Sequence, residues 1–202
     1  MVLSFCFLLF FLFGCTTLER DNVYDQKGNK GVSSSNFTDK RDNKTYRTVQ
    51  IGSQTWMAEN LNYKASGSVC YDNESFNCDT YGRLYDWETA MTACPSGWHL
   101  PSYAEWTTLT DYADNSAGTK LKARSGWNDS GNGSDDYGFS ALPGGGYSDG
   151  GFNDVGIVGR WWSSAEYDAT DAYRLRMNYS SSNVSRGTSD KSNLYSVRCL
   201  RD

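Results

Sequence analysis

The sequence predicts an α+β domain with two short helices, small antiparallel sheets and long loops, stapled by disulfides. Short segments in which apolar and polar residues alternate are typical of half-buried strands. Two stretches in the middle of the chain instead carry apolar residues at helical spacing. Of the six cysteines, Cys6 lies in the apolar amino-terminal segment and Cys15 directly follows it. The other four are an even number, which in an exported chain indicates two disulfides.

The chain begins with an uncharged apolar segment, residues 1–14, MVLSFCFLLFFLFG. It is shorter than the roughly 20 residues of a membrane-spanning helix and has the length of a signal-peptide apolar core. The sequence LFGC, which ends at Cys15, resembles the bacterial lipoprotein signal, in which the cysteine receives the lipid. We therefore predict a lipoprotein-type signal peptide over residues 1–14 and a protein lipid-anchored through Cys15 to the cell envelope, at the outer membrane or the cell surface. The alternatives are an ordinary secretory signal and a short membrane anchor.

Residues 15–36 are predicted to be the lipidated cysteine and a flexible tether. The segment is polar, rich in Gly, Ser and Asn, and has no apolar periodicity. Flexible-chain scaling would hold the domain, residues 37–202, roughly 25 Å from its anchor.

From Phe37 the pattern is typical of strands. Turn signals at residues 42–43 (DN) and 52–53 (GS) predict a hairpin followed by a third short strand. Val49 and Ile51 share one face, because side chains alternate along a strand.

The first helix is predicted from Leu84, Trp87 and Met91, which form one apolar stripe, and Pro95 and Gly97 end it. The second helix begins at a capping box, Ser102 and Glu105, in which a hydroxyl and a carboxylate each bond a free backbone N–H. Trp106, Leu109 and Ala113 supply the buried stripe of this second helix.

His99, the only histidine of the chain, lies in the turn before the second helix. A structural, hydrogen-bonded role is favoured over a catalytic one, because no second histidine is present to complete a catalytic set.

After residue 118 the chain is rich in Gly, Asn, Ser and Asp, with interspersed aromatic rings. Binding residues concentrate on loops that a rigid scaffold holds, so the segment 127–152 is the predicted ligand face. The residues expected to contact a ligand are Trp127, Asn128, Asp129, Tyr147 and Asp149. In the alternative, the rings in this segment pin it down as a surface cover that binds nothing.

Four hard oxygen donors within eight residues of this segment suit calcium: Asp129, Asn132, Asp135 and Asp136. They do not follow EF-hand spacing, and Asn and Asp are also the residues that turns require. Calcium is the one cofactor that we consider, and the alternative is a loop that binds no metal.

The final strands are predicted at RWWSSAEY, AYRLRMNY and LYSVRCLRD.

Cys70, Cys78, Cys94 and Cys199 allow three pairings. Cys70 and Cys78 bracket a short polar loop and favour local closure, which would leave Cys94 to reach Cys199. This second bridge would close a loop of about 105 residues, contributing roughly 4–5 kcal/mol in the chain-entropy model.

Composition and motifs exclude several functions. A net charge of −5 and a pI near 4.9 argue against nucleic acid, whose binding proteins carry basic patches. There is no phosphate-binding P-loop sequence, and one histidine cannot form an H-E-x-x-H zinc pair. The two catalytic carboxylates of a glycosidase, by contrast, have no fixed spacing in sequence, so the sequence does not exclude this class of enzyme.

Five segments carry a family resemblance: RTVQIGSQTWMAENLNY, CDTYGRLYDWETAMTACPSGWHLPSYAEWTTL, DDYGFSALPGG, WWSSAEY and SVRCLRD. Together they resemble the Fibrobacter succinogenes major paralogous domain, a family of exported bacterial proteins without an established activity. The resemblance covers residues 37–202 and implies a C-type-lectin-like fold, related to formylglycine-generating enzymes, in which a disulfide ties the first helix to the last strand. Cys94 and Cys199 fit that tie.

The enzymes related to this fold use a cysteine pair near the carboxyl end, whereas here Cys199 is the only cysteine after Cys94. The sequence WND at 127–129 spells a tripeptide of calcium-dependent lectins, but its position is wrong and the companion Glu-Pro-Asn is absent, so we treat it as a coincidence. The leading hypothesis is thus a lipid-anchored, lectin-like binding or surface-architecture module without catalysis, binding a glycan or a surface protein. The alternatives are a glycan-active envelope enzyme and a purely structural surface-coat component.

Overall fold

The structure is a computed structural model, and it describes residues 33–202. The predicted signal peptide, the lipidation site at Cys15 and all but the end of the predicted tether lie outside the described residues. The first strand begins at Ser34, so strand pairing starts within the last three residues that were assigned to the tether.

A five-stranded antiparallel sheet forms one part of the fold. Its hairpin and third strand follow each other as predicted, and Val49 and Ile51 are both buried. The last strand of the chain lies between two strands from earlier in the sequence and pairs with both, so the carboxyl end is held within the sheet. In sheet order the strands are β1 (Ser34–Thr38), β2 (Thr45–Ile51), β3 (Gln54–Met57), β12 (Leu200–Arg201) and β5 (Trp98–His99).

A second, mixed sheet of seven strands contains most of the later chain. Its main path in sheet order is β10 (Val184–Asp190), β9 (Asp171–Asn178), β8 (Val158–Glu166), β11 (Tyr195–Ser196) and β4 (Leu84–Tyr85). A hairpin, β6 (Gly144–Ser148) and β7 (Gly151–Val155), joins it through a parallel bridge between β6 and β8.

Two elements of this sheet correct the predicted strand set. The hairpin β6–β7 begins inside the segment 127–152, which was predicted to be loop. Its turn, Asp149-Gly150, has φ of 53° and 82°, the positive values that Asp-Gly hairpin turns adopt. Strand β10 was also missed, because VSRGTSD has no apolar alternation and pairs only along one edge.

The described residues contain four short α-helices, two more than predicted: α1 (Ser75–Tyr81), α2 (Trp87–Ala93), α3 (Tyr103–Ala113) and α4 (Ala117–Leu121). The apolar stripe assigned to the first predicted helix is partly wrong. Leu84 lies in β4, and α2 begins only after Asp86, whose carboxylate accepts from the Thr89 N–H at 2.7 Å. From this start Trp87, Ala90 and Ala93 face inward, so Met91 is 41% exposed.

Helix α3 begins as predicted. Ser102 is its N-cap, and the reciprocal bonds between Ser102 and Glu105 form a complete capping box. Trp106, Leu109 and Ala113 are fully buried. Glu105 therefore has a structural role at the start of α3, as the sequence indicated.

The core has two apolar clusters, one on each face of β8. Adjacent strand residues point to opposite faces, so Trp161 enters the cluster around Trp56 and Trp106, whereas Trp162 enters the cluster around Trp87. All five of these tryptophans are buried, including Trp87 and Trp106, which the sequence placed on apolar helix stripes.

Both disulfides form as predicted. Cys70–Cys78 spans 8 residues and Cys94–Cys199 spans 105. The long bridge ties the end of α2 to the residue before β12, which connects a helix to the terminal strands. Within residues 33–202, no helix combines the length and apolarity needed to cross a membrane.

Candidate functional site

Trp127 was predicted to contact a ligand, but the structure places its ring in the core. The residue is 4% exposed, and its indole N–H donates to the Ala141 carbonyl at 3.0 Å. The Lys122 ammonium lies 5.1 Å from the ring centroid. A surface ligand does not reach this ring, because the side chain is used to hold its own segment against the core.

The other predicted contact residues lie in two separate places. Asn128 and Asp129 are exposed at the base of the β6–β7 hairpin, where the Asn128 N–H donates to the Gly156 carbonyl at 2.9 Å. Tyr147 and Asp149 lie at the opposite end, next to the hairpin turn. The length of β7 separates the two groups, about 16 Å for five extended residues. They therefore do not form one site.

The predicted calcium donors are similarly divided. The Asn132 side-chain oxygen accepts from the Trp127 N–H at 3.0 Å, and the Asp135 carboxylate accepts from the Ser140 N–H and hydroxyl at 2.8 and 2.7 Å. Asp129 and Asp136 are exposed. Within the described residues no three His, Cys, Asp or Glu side chains come together as a metal-binding group.

His99 is held between two carboxylates. Its Nδ1 lies 2.6 Å from Asp202 and its Nε2 lies 3.0 Å from Glu105. Both ring nitrogens are engaged, which matches the structural role that we expected for this residue.

The structure shows a different candidate site, a cleft of about 340 Å³ that sequence reasoning missed. Such a volume is at the lower end of small-molecule sites. One wall comes from β2 and the turn before it, another from the segment after β3, and a third from α1. The lining consists of residues 44–47, 58–60 and 78–82 together with Asn62, Ser140, Leu142 and Arg198.

Arg198 and Asn60 form the buried part of the cleft. Arg198 is 1% exposed and lies between β11 and β12. Its Nη1 donates to the carbonyls of Phe139 at 2.6 Å and Met57 at 3.2 Å, while Nε and Nη2 donate to the Asn60 Oδ1 at 3.0 and 2.8 Å. The Trp161 indole N–H donates to the same Asn60 oxygen at 2.8 Å. This network fixes the position of the guanidinium.

The acceptors around Arg198 are all neutral, and within residues 33–202 it forms no ion pair. Burial lowers the pKa of Arg198 to about 9, although the carboxylates of Glu59 and Asp135 act in the opposite direction. A buried charge without a counter-ion is costly, because it loses its hydration without gaining a charged partner. The cleft thus places an uncompensated positive charge at its inner end.

A second arginine lies at the mouth of the cleft. Arg47 donates through Nε to Glu59 at 2.9 Å, and its Nη2 lies 3.3 Å from the Ser140 hydroxyl. The side chains of Arg47 and Glu59 are 49% and 42% exposed, so this pair is accessible from solvent. The cleft also contains an acceptor, Asn62 Oδ1, that is buried and has no donor among the described residues.

Helix α1 carries an exposed aromatic ring next to the cleft. Phe76 is 62% exposed, and Thr80, which lines the cleft, lies one turn further on and donates its hydroxyl to the Phe76 carbonyl at 3.0 Å. Residues four apart occupy the same face of a helix, about 5–6 Å apart at Cβ. The Cys70–Cys78 disulfide holds this helix to the chain before it.

No short motif in the sequence identifies this cleft, because its lining comes from separate segments of the chain. The alternation Val197, Cys199 would even place Arg198 on an exposed face. Its burial depends on carbonyl acceptors at Met57 and Phe139, which any residue type supplies.

The fold and the cleft define a disulfide-stapled α+β domain with a preformed polar cleft lined by charged groups. The chain belongs to the Fibrobacter succinogenes major domain family, whose family model matches residues 49–201. No curated protein matches the chain, and no solved structure does. Membership thus agrees with the resemblance seen in the sequence, while the likeness to C-type lectins stays a prediction.

Proposed function

We propose that this protein is an exported, lipid-anchored binding module that holds a saccharide in the cleft, without catalysing a reaction on it. The observation that carries the proposal is the fixed Arg198–Asn60 pair at the inner end of a 340 Å³ cleft. A hydrogen-bonded network of this kind presents polar groups in one geometry before a ligand arrives, which lowers the entropic cost of binding.

The composition of the lining supports a saccharide. Hydroxyls and amides on the lining give both donors and acceptors, as at Thr80 and Asn62. Tyr81 lines the cleft, and Phe76 lies exposed one turn away on α1. Aromatic faces pack well against the apolar faces of sugar rings. The Phe76 ring is 62% exposed and is therefore accessible to a ligand.

Attachment to the envelope is proposed from the sequence alone. Residues 1–14 would be removed, Cys15 would be lipidated, and the tether would hold the C-type-lectin-like domain away from the membrane. Stable anchoring requires more than one acyl chain, which lipoprotein processing supplies. Mass spectrometry of the protein from a bacterial host tests this step, since an unmodified Cys15 would contradict the anchor.

A glycan array probed with the detergent-solubilised full chain tests the binding function. Phe76→Ala should weaken saccharide binding about tenfold, because it removes one stacked ring, which contributes about 1–2 kcal/mol. Tyr167→Ala is the matched control, because Tyr167 is 59% exposed and does not line the cleft. Neither substitution should change the melting temperature.

The outcomes separate the candidate functions. Binding to no saccharide on a broad array would contradict the proposal and favour a structural surface-coat role. Running the array with calcium and with a chelator tests whether the donors at Asp129, Asn132, Asp135 and Asp136 contribute.

A glycan-active enzyme is the second candidate, because two carboxylates, Glu59 and Asp79, line the same cleft. Glycosidases act with two carboxyl groups that flank the scissile bond. Release of reducing sugar from envelope polysaccharides, abolished by Glu59→Gln or Asp79→Asn, would replace the binding-only proposal with this one.

A further inference from the structure

The cleft and the chain as a whole have net charges of opposite sign. The residues that line the cleft include three with cationic side chains, Lys44, Arg47 and Arg198, and two with anionic ones, Glu59 and Asp79. The cleft therefore has an excess of one positive charge, whereas the chain as a whole has a net charge of −5. A local excess of positive charge attracts a negatively charged ligand.

Arg198 retains hydrogen-bonding capacity. A guanidinium has five N–H groups. The bonds to Phe139, Met57 and Asn60 use Nε–H, both N–H groups of Nη1 and one of Nη2, so one Nη2 N–H has no acceptor in the described part of the chain. Within residues 33–202, the carboxylates of Glu59 and Asp135 act on Arg198 from a distance and form no ion pair with it.

The mouth of the cleft offers two further cationic groups. Lys44 is exposed, and within residues 33–202 it takes part in no ion pair. Arg47 binds Glu59 through Nε, and Nη1 takes part in none of its hydrogen bonds to described residues. A ligand that enters the cleft would pass these two groups before it approaches Arg198.

We infer that the ligand is an acidic saccharide that places the carboxylate of one uronic acid unit in the cleft, where Lys44 and Arg47 bind it at the mouth, above the buried Arg198. This inference rests on the proposed saccharide binding and adds the chemical class of the sugar. A carboxylate carries a single negative charge, which matches the excess of one positive charge in the cleft. Its two oxygens also suit the paired N–H groups of arginine.

Isothermal titration calorimetry of the detergent-solubilised full chain tests the inference. The probes are oligogalacturonate and oligoglucuronate, with neutral galactose and glucose oligomers of equal length as controls and sulfated oligomers as a third arm. The carboxylated probes should bind at least tenfold more tightly than the neutral ones. Raising the sodium chloride concentration from 50 to 300 mM should narrow this difference, because salt screens the exposed cations.

Two surface substitutions locate the carboxylate without disturbing the core. Arg47→Ala and Lys44→Ala should each weaken binding of the carboxylated probes about tenfold and leave neutral probes unchanged. Arg124→Ala removes an equal charge from an exposed residue outside the cleft and should change neither. Arg198 is left intact, because its bonds also hold the fold.

The possible failures are distinct. Equal affinity for neutral and carboxylated probes would overturn this inference and leave the proposed saccharide binding in place. Tighter binding of the sulfated probes would overturn the carboxylate assignment, and unchanged affinity in both Arg47→Ala and Lys44→Ala would overturn the assigned position. Binding to none of the probes, combined with a blank glycan array, would overturn the proposed function itself.

Discussion

The His99 ring bridges Asp202 and Glu105, at 2.6 and 3.0 Å from its two nitrogens. Only the protonated imidazolium donates from both nitrogens, so this arrangement favours the charged form. Burial lowers the pKa of His99, but the hydrogen bonds to Asp202 and Glu105 outweigh it and raise the pKa above its ordinary value. Burial also acts to raise the pKa of Glu105, yet its hydrogen bonds to Ser102 and His99 hold that pKa below its ordinary value.

These shifts predict a pH dependence of stability. The contribution of His99 is complete below the unfolded pKa of about 6.5 and is lost as pH rises through the raised folded pKa. The contribution of Glu105 is complete above its unfolded pKa of about 4.3 and is lost as pH falls through the lowered folded pKa. Both contributions are therefore complete between about pH 4.5 and 6.5.

We expect His99→Gln to lower the free energy of unfolding more at pH 5.5 than at pH 9. The difference should stay below about 1 kcal/mol, since the His99 and Glu105 side chains are 37% and 35% exposed and solvent screens the pair. Urea unfolding of parent and variant at the two pH values measures it. An equal loss at both values would show that the charge of His99 does not contribute.

Trp127 leads to a second prediction at this scale. Because its ring is buried and its N–H is bonded to Ala141, Trp127→Ala should lower the free energy of unfolding by about 3–5 kcal/mol. The Tyr147 ring is only half-buried, beside Phe152 with ring centroids 5.1 Å apart. Tyr147→Ala should therefore lower the free energy of unfolding by less. Denaturant unfolding compares the two variants. A fully stable Trp127→Ala protein would show instead that the ring does not support the core.

At the scale of single elements, local signals decided what the sequence could predict. Helix α3 has a capping box and three buried residues at helical spacing, and both features are visible in the sequence. Strand β10 has no apolar alternation, and helix α4 is five residues long without a side-chain cap. Their positions therefore depend on pairing with β9 and on packing beside α3. The predicted apolar stripe of α2 included Leu84, which lies in β4, because the spacing of apolar residues does not show that Asp86 caps the helix.

The capping box gives a prediction for α3. Ser102→Ala removes the hydroxyl that accepts from the Glu105 N–H and should cost about 1 kcal/mol, the usual value of an N-cap. Thr108→Ala, an exposed position of the same helix, serves as the control and should be neutral within about 0.5 kcal/mol. Urea unfolding at pH 7 measures both variants. Equal stability of the two would mean that the cap does not contribute to the start of α3.

At the scale of the whole molecule, the fold was more predictable than the site. The cysteine count and spacing, the turn signals and the aromatic core residues together predicted the α+β class and both disulfides. The cleft depends on long-range contacts, such as the bond from Arg198 to Asn60, which are 138 residues apart. The residues predicted as a ligand face share a polar, aromatic composition, but that composition also builds hairpins and buried turns, as at Trp127.

The two disulfides should contribute unequally to the stability of the whole domain. Cross-linking restricts the unfolded chain more when the closed loop is longer, and the loops here span 105 and 8 residues. The chain-entropy model therefore predicts that Cys94→Ala with Cys199→Ala costs about 2 kcal/mol more than Cys70→Ala with Cys78→Ala. Paired substitutions avoid leaving a free thiol at Cys199, which is fully buried. Urea unfolding under oxidising conditions measures the difference, and a larger loss from the short-loop pair would show that native packing around α1 outweighs the entropy of the unfolded chain.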